Sequence, residues 1–242
     1  MRQRKLVLLL IILCLLTTVA SQPSLAQRRR RASRARSRPA PTRTTTTNDG
    51  CDLRFAGSYR KQVKLRPTNL DYTFHNSGRA ITVTDWLAFT CSLDPEVPLK
   101  SNIPATTALA QERVKIKLRG FLMAVKRDPD NDLHVQIAER ARPYNQSQII
   151  IEIPPGQEFC AARSKMAALT RADGGTVNKH IFARPPEVEA TGYLFIDGTH
   201  MEAHRGDYCA QNGGRGIKGS LSKSPVRGIW ELHPVIKLED AH

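Results

Sequence analysis

The alternation of apolar and charged residues over residues 114–126 limits the fold more than any other feature of this chain. Every second residue at the start of this stretch is apolar, and Lys115, Lys117 and Arg119 alternate with them. Side chains two residues apart share a face of a β-strand, so this pattern predicts a strand with one face toward a core. The turn sequence Asp-Pro-Asp-Asn follows, and the alternation resumes at Leu133. Together these features predict a β-hairpin.

The rest of the chain also favours strands. Segments rich in β-branched and aromatic residues predict further strands at residues 81–89, 148–153, 188–197 and 229–238. An apolar stripe at helical spacing predicts one helix over residues 158–170. We therefore expect a mainly β (α+β) fold: a small, partly closed OB-like β-barrel with one helix. A β-sandwich covered by a helix is the alternative.

The N-terminus is typical of a secretory signal peptide. Basic residues precede an apolar run over residues 6–16, and Ser-Leu-Ala at residues 24–26 suits cleavage. We expect residues 1–26 to be the signal, residues 27–47 a disordered tail, and residues 48–242 a single β-rich domain. The predicted location is secreted, periplasmic or in the cell envelope, with no transmembrane segment in the mature chain. The alternative is a signal anchor, because basic residues directly after the apolar run resist translocation.

Most of the positive charge lies in the predicted tail. The net charge is +15, but residues 28–43 hold eight Arg and no acidic residue. Such a tail can bind nucleic acid or another polyanion through counterion release. The basic face of the first hairpin strand could contribute on an OB-like sheet. The predicted polyanion-binding residues are Arg28, Arg29, Arg30, Arg31, Lys115, Lys117 and Arg119.

Four cysteines remain once Cys14 is assigned to the signal: Cys51, Cys91, Cys160 and Cys209. An even number in an exported chain favours two disulfides, and three connectivities are open. There is no C-x-x-C spacing, so neither a zinc ribbon nor a redox motif is indicated. The sequence also lacks the G-x-S-x-G motif of a serine hydrolase and a dinucleotide fingerprint.

Two acid–histidine pairs are the candidate site. Asp132 precedes His134 by two residues, and Glu231 precedes His233 in the same way. In each strand the neighbouring apolar residues take the core face, so each pair should lie on the opposite face, exposed or under a loop rather than buried. A carboxylate-held imidazole can act as a general base or ligate a divalent metal. These four residues are therefore the candidate catalytic set.

A metal site could draw on further residues near the end of a strand. Asp197, His200 and His204 could form a loop site, although their spacing does not fit a helical H-E-x-x-H motif. The candidate metal ligands are His134, Asp197, His200, His204 and His233. The cofactor that these residues would hold is a divalent metal.

Four segments of the chain resemble a group of exported bacterial proteins without an assigned activity. The group carries the motifs D-x-H-L-x-I, E-x-P, V-T-G-x-x-F-x-D and G-I-E-L-H-P-V. The matching segments are residues 132–137, 151–154, 191–197 and 228–235. The resemblance covers roughly residues 80 to 238 and implies an exported β-rich domain. The Arg-rich tail and the long insert between Thr199 and Arg227 depart from it.

Two hypotheses for function follow. The first is an exported, disulfide-stabilised β-barrel module that binds a ligand, with a polyanion (nucleic acid, an anionic polymer or cell wall) as the expected class. The second is a metal-dependent hydrolase, phosphodiesterase-like or nuclease-like, that uses the clustered Asp, Glu and His residues. Convergence of the acid–histidine pairs in space would favour the second hypothesis. The sequence indicates no particular oligomeric state.

Overall fold

The computed structural model of the protein describes residues 51–93, 97–98, 100–201 and 226–242. Within these ranges the fold is mainly β. The strands are β1 (Thr73–Phe74), β2 (Val114–Arg127), β3 (Leu133–Ala138), β4 (Gln148–Ile153), β5 (Lys179–Ile181), β6 (Glu187–Ile196) and β7 (Val226–Asp240). The α-helices are α1 (Lys61–Lys64), α2 (Val83–Leu93) and α3 (Cys160–Ala172).

Five of the strands close into a ring in the order β2, β3, β4, β7, β6. The long strand β2 closes it, because its first half pairs with β6 and its second half with β3. The β4–β7 pair is parallel, and the other four pairs are antiparallel. The prediction of an OB-like, partly closed barrel is therefore confirmed.

The apolar residues of the ring strands fill a single core, as their alternation predicts. One cluster contains buried side chains from all five ring strands and both longer helices: Trp86, Leu122, Val135, Ile151, Met166, Leu194 and Leu232. We call this face of the ring the inner face. Side chains at the intervening positions lie on the outer face, where polar residues can gather.

The predicted strand at residues 81–89 is wrong, because α2 occupies this segment. Its β-branched and aromatic residues suggested a strand, but Thr82 and Asp85 form a helix-capping box. The backbone N–H of Asp85 donates to Thr82 Oγ1 at 3.2 Å, and that of Thr82 donates to Asp85 Oδ2 at 3.2 Å. The sequence therefore predicted one longer helix where the described residues contain two, α2 and α3. The helix expected at residues 158–170 forms as a 3₁₀ turn followed by α3.

A segment before the first ring strand, residues 51–72, lies against the outer face of the ring. We call it the covering segment. The Arg66 guanidinium donates to the carbonyl oxygens of Leu194 and His233, each at 2.7 Å. The amide N–H of Ala56 donates to the carbonyl oxygen of Asp130 at 3.0 Å. These bonds reach β6, β7 and the β2–β3 turn, so the segment spans much of this face.

A disulfide joins two distant parts of the chain. Cys51, at the start of the covering segment, is bonded to Cys160, the first residue of α3. Cys91 in α2 is also disulfide-bonded. Cys209 lies outside the described residues. No helix among the residues that the structure describes is long and apolar enough to cross a membrane.

Candidate metal centre

Strand register brings the two acid–histidine pairs together. His134 in β3 is opposite Glu152 in β4. Ile151 in β4 is opposite Leu232 in β7, so Glu152 and His233 are the next pair along. Because side chains at i and i+2 share a face, Glu231 joins His233 on the outer face. We call Asp132, His134, Glu152, Glu231 and His233 the outer cluster.

Glu152 lies at the centre of the outer cluster. Its Oε1 is 3.0 Å from Nδ1 of His134, and its Oε2 is 2.8 Å from Nδ1 of His233. The other carboxylates approach His233 from two sides. Asp132 Oδ2 is 3.7 Å from His233 Nε2, and Glu231 Oε2 is 3.7 Å from His233 Nδ1. The structure thus brings both candidate histidines to the Glu152 carboxylate, and both candidate acids to His233.

The outer cluster is buried, although it lies off the inner face. Asp132 is 1% exposed, His134 5% and His233 0%. The two pairs lie on the predicted face of their strands, but the expectation that they would not be buried is wrong, because the covering segment lies against this face. Burial strengthens the Coulomb interactions between these groups, because little water screens them.

Lys64 places an ammonium group inside the outer cluster. Its Nζ is 3.4 Å from both Asp132 Oδ2 and Glu152 Oε2, and 3.5 Å from Asp130 Oδ2. The side chain comes from α1 in the covering segment and is 12% exposed. Burial lowers the pKa of Lys64, but attraction from the carboxylates outweighs this and raises the pKa above its usual value. Lys64 is therefore a buried, charged partner of the acids.

The two central carboxyl groups respond to burial in opposite ways. Burial raises the pKa of Asp132 to about 7, against the opposing influence of His233 and Lys64. Burial would also raise the pKa of Glu152, but Lys64 and the imidazoles of His134 and His233 hold it well below its usual range. Glu152 therefore favours its charged form.

Several donor and acceptor atoms of the outer cluster have no hydrogen-bond partner among the described residues. They include Asp132 Oδ1 and both ring nitrogens of His233. The close approach of His233 Nδ1 to Glu152 lacks hydrogen-bond geometry. An unpaired buried polar atom costs about 1–3 kcal/mol, so native structures rarely leave several in one place without a ligand or water.

One set of these atoms fits a metal ion. Ligand atoms of Asp132, Glu152 and His233 lie within 4.8 Å of one another, and all three side chains are buried. Two carboxylate oxygens and an imidazole nitrogen form a donor set that zinc and manganese accept, with water in the remaining positions. Asp128, His134 and Glu152 form a second set of the same kind, although Lys126 already contacts Asp128 at 2.6 Å.

Of the predicted loop ligands, Asp197 has described side-chain contacts, and they are with its own turn. The Asp197 carboxylate caps the 3₁₀ turn Gly198–His200 by accepting from the Thr199 N–H at 3.0 Å. His200 belongs to that turn. His204 lies outside the described residues.

The basic face of β2 is present but largely compensated by acids on β6. Lys117 Nζ is 3.7 Å from Glu189, and Arg119 Nε is 2.7 Å from Glu187. Lys115 Nζ lies 5.0 Å from the centre of the Phe74 ring. The other predicted polyanion contacts, Arg28 to Arg31, lie outside the described residues.

Sequence reasoning missed Glu152 and Lys64 as site residues. Glu152 had a usable signal, because it is the only charged residue of an otherwise largely apolar strand (Gln148–Ile153) whose side chains are all buried. Lys64 had none, since it is 88 residues from Glu152 and comes from a helix of four residues. Only the packing of the covering segment brings it to the site.

Searches of protein-family models, curated proteins and solved structures found no match to this chain, so its function is argued from the geometry of the outer cluster.

Proposed function

We propose that this chain is an exported, OB-like domain that binds a divalent metal ion at Asp132, Glu152 and His233. The observation that carries the proposal is the convergence of their ligand atoms within 4.8 Å, in a buried place where Asp132 Oδ1 and both His233 nitrogens lack hydrogen-bond partners. A metal ion would give a partner to Asp132 and to one of the two ring nitrogens of His233.

The charge around the site also supports a cation. Five carboxylates lie at or beside the site. The ammonium groups of Lys64 and Lys126 contact four of them, and the fifth contacts His233. The carboxylates belong to Asp128, Asp130, Asp132, Glu152 and Glu231. Negative charge in excess within a buried region is costly unless it is neutralised. A divalent ion supplies the missing positive charge.

Metal analysis and calorimetry of the mature protein test the proposal. We expect one zinc or manganese ion per chain and a rise in melting temperature when the metal is added, because a ligand that binds only the folded state stabilises it. His233→Ala and Asp132→Asn should abolish both effects. His180→Ala is the matched control, since His180 also contacts a carboxylate, at 2.9 Å from Asp173, but lies outside the outer cluster.

A wild-type protein that neither binds nor responds to any of zinc, manganese, magnesium and calcium would refute the proposal. So would loss of binding in His180→Ala equal to that in His233→Ala. Circular dichroism spectra of all variants would show whether they remain folded.

Metal-dependent hydrolysis is the second candidate, and the convergence of Asp132, His134, Glu231 and His233 favours it. A bound divalent ion would lower the pKa of a water ligand, and the remaining imidazole could accept its proton. The metal-loaded protein should then hydrolyse an activated phosphodiester, and His134→Ala should slow this step without loss of metal. Equal rates in the two proteins would leave metal binding as the function.

A further inference from the structure

Lys64 and the proposed metal need the same space. The Lys64 ammonium lies 3.4 Å from two of the three proposed ligands, Asp132 and Glu152. A divalent ion bound to those oxygens would lie within a few ångströms of the ammonium, where two positive charges repel strongly in a poorly hydrated region. The ion and the ammonium therefore exclude each other.

The surroundings of Lys64 determine how readily its side chain can move out of the outer cluster. Its ammonium group lies over two aromatic rings, with Nζ 5.7 Å from the centre of Phe55 and 5.8 Å from that of Phe195. Lys64 itself belongs to α1, which has a single buried residue, Val63. This four-residue helix buries little apolar surface, so the ionic contacts of Lys64 help to hold it in place, together with Val63 and the partly buried Leu65 just after it.

The chain on both sides of α1 is held firmly. Before it, the Arg60 guanidinium donates to both carboxylate oxygens of Glu112, each at 2.6 Å. After it, the Arg66 guanidinium donates to two backbone carbonyls at 2.7 Å. Both arginines are almost fully buried. Displacement of Lys64 should consequently open residues 61–65 and leave the rest of the covering segment in place.

We propose that Lys64 is the resident counter-cation of the outer cluster and that a divalent metal displaces it, so that metal binding opens α1 above the site. This inference rests on the proposed function and adds its regulation. Lys64 offsets part of the negative charge when metal is scarce, and binding of the ion uncovers a path from solvent to the ion. Lys64 thereby sets the affinity of the site.

Zinc titration of three proteins by calorimetry tests the exchange. Lys64→Gln removes the competing charge, so its affinity for zinc should exceed that of the wild type by about tenfold or more, since no conformational step precedes binding. Lys61→Gln is the matched control, because Lys61 lies on the same helix, carries the same charge and is exposed. Its affinity should stay within about twofold of the wild type.

The outcomes separate this inference from the proposed function. Zinc binding by the wild type with equal or weaker binding by a folded Lys64→Gln protein would overturn the exchange and leave the metal site standing. Equal gains in Lys64→Gln and Lys61→Gln would also overturn it, because net charge would then explain them. Absence of zinc binding in all three proteins would overturn both proposals.

Hydrogen exchange on the wild type gives a test that needs no substitution. In the absence of metal, the amides of Lys64 and Leu65 donate to the carbonyl oxygens of Arg60 and Lys61 at 3.0 and 2.9 Å. Saturating zinc should accelerate their exchange by about fivefold or more if α1 opens. Ala56, whose amide bonds to Asp130, should change little. Unchanged or slower exchange at Lys64 and Leu65 would contradict the displacement.

Discussion

At the scale of single residues, the outer cluster depends most on the side chain of Glu152, which contacts Lys64, His134 and His233. Glu152→Gln would leave Lys64 without its central anion and remove the negative charge beside both imidazoles. Removing one partner of a buried charge pair costs about 3–5 kcal/mol, so we expect a loss of about that size in the free energy of unfolding. Urea denaturation in the presence of a chelator measures it without a contribution from metal.

The control for this substitution is an ion pair on the surface. Lys165 Nζ lies 2.6 Å from Asp240, whose side chain is 64% exposed. Asp240→Asn should change the free energy of unfolding by less than about 1 kcal/mol, because water screens exposed pairs. Similar small losses in both variants would show that the outer cluster is not held as the structure indicates.

A second residue-scale prediction concerns Asp173, just after α3. Its carboxylate accepts from His180 at 2.9 Å and from the N–H groups of Ala183 and Arg184 at 2.6 and 3.2 Å. Burial alone would raise the pKa of Asp173, but the hydrogen bonds from His180 and the two amides lower it below 3.8. The folded state therefore favours the charged carboxylate.

A lowered pKa in the folded state makes the contribution of Asp173 to stability present above pH 3.8, and that contribution is lost as the pH falls through the folded-state value. Asp173→Asn should thus be less stable than the wild type at pH 7, and the gap should narrow as the pH falls below the unfolded value. Urea denaturation at several pH values between neutral and acid would measure the gap. A gap that is constant with pH would show that the charge of Asp173 does not matter.

At the scale of elements, the sequence predicted those strands whose two faces differ in chemistry. Strand β2 alternates Lys115 and Lys117 with apolar residues, and its start and its pairing with β3 agree with the structure. Helix α2 was missed, because β-branched residues such as Val83 and Thr90 favour strands in general. Its helical spacing of buried residues and its capping box outweigh that preference.

The sequence predicted only those residues of the candidate site that lie close to one another along the chain. An acid two residues from a histidine on a strand can be found by its spacing, which is how Asp132, His134, Glu231 and His233 were identified. The register that adds Glu152 depends on the β4–β7 pairing, and these strands are far apart in sequence. Lys64 depends on the packing of an irregular segment that has no periodicity to detect. Burial of the site has the same origin.

The covering segment gives an element-scale prediction. The Cys51–Cys160 disulfide spans 109 residues of sequence and ties this segment to α3. Replacing both cysteines with Ser should lower the free energy of unfolding by about 2–5 kcal/mol, as loss of a bridge across a long loop does. Limited proteolysis should then cleave within residues 51–59 sooner than in the wild type. Unchanged stability and cleavage would mean that the hydrogen bonds of the segment hold it alone.

At the scale of the whole molecule, positive and negative charge are separated along the chain. The described domain gathers acids at the outer cluster and pairs the basic residues Lys117 and Arg119 with carboxylates. The Arg-rich residues 28–43 have no acid among them. The disulfide is compatible with an extracellular or periplasmic location, where such a tail could meet anionic polymers.

Deleting residues 27–47 tests whether the tail is the part that binds polyanions. Because Lys117 and Arg119 already have acidic partners, the tail should supply most of the counterion release on binding. We expect the shortened protein to bind single-stranded DNA or an acidic polysaccharide more weakly, with a flatter dependence on salt. Its melting temperature should not change, since the deleted residues precede the covering segment. A tail of equal length with the eight Arg replaced by Ser is the matched control and should behave like the deletion. If both proteins bind as the wild type does, the contact must instead involve the face of β2, and Lys115→Gln, which removes the cation beside Phe74, should then weaken binding.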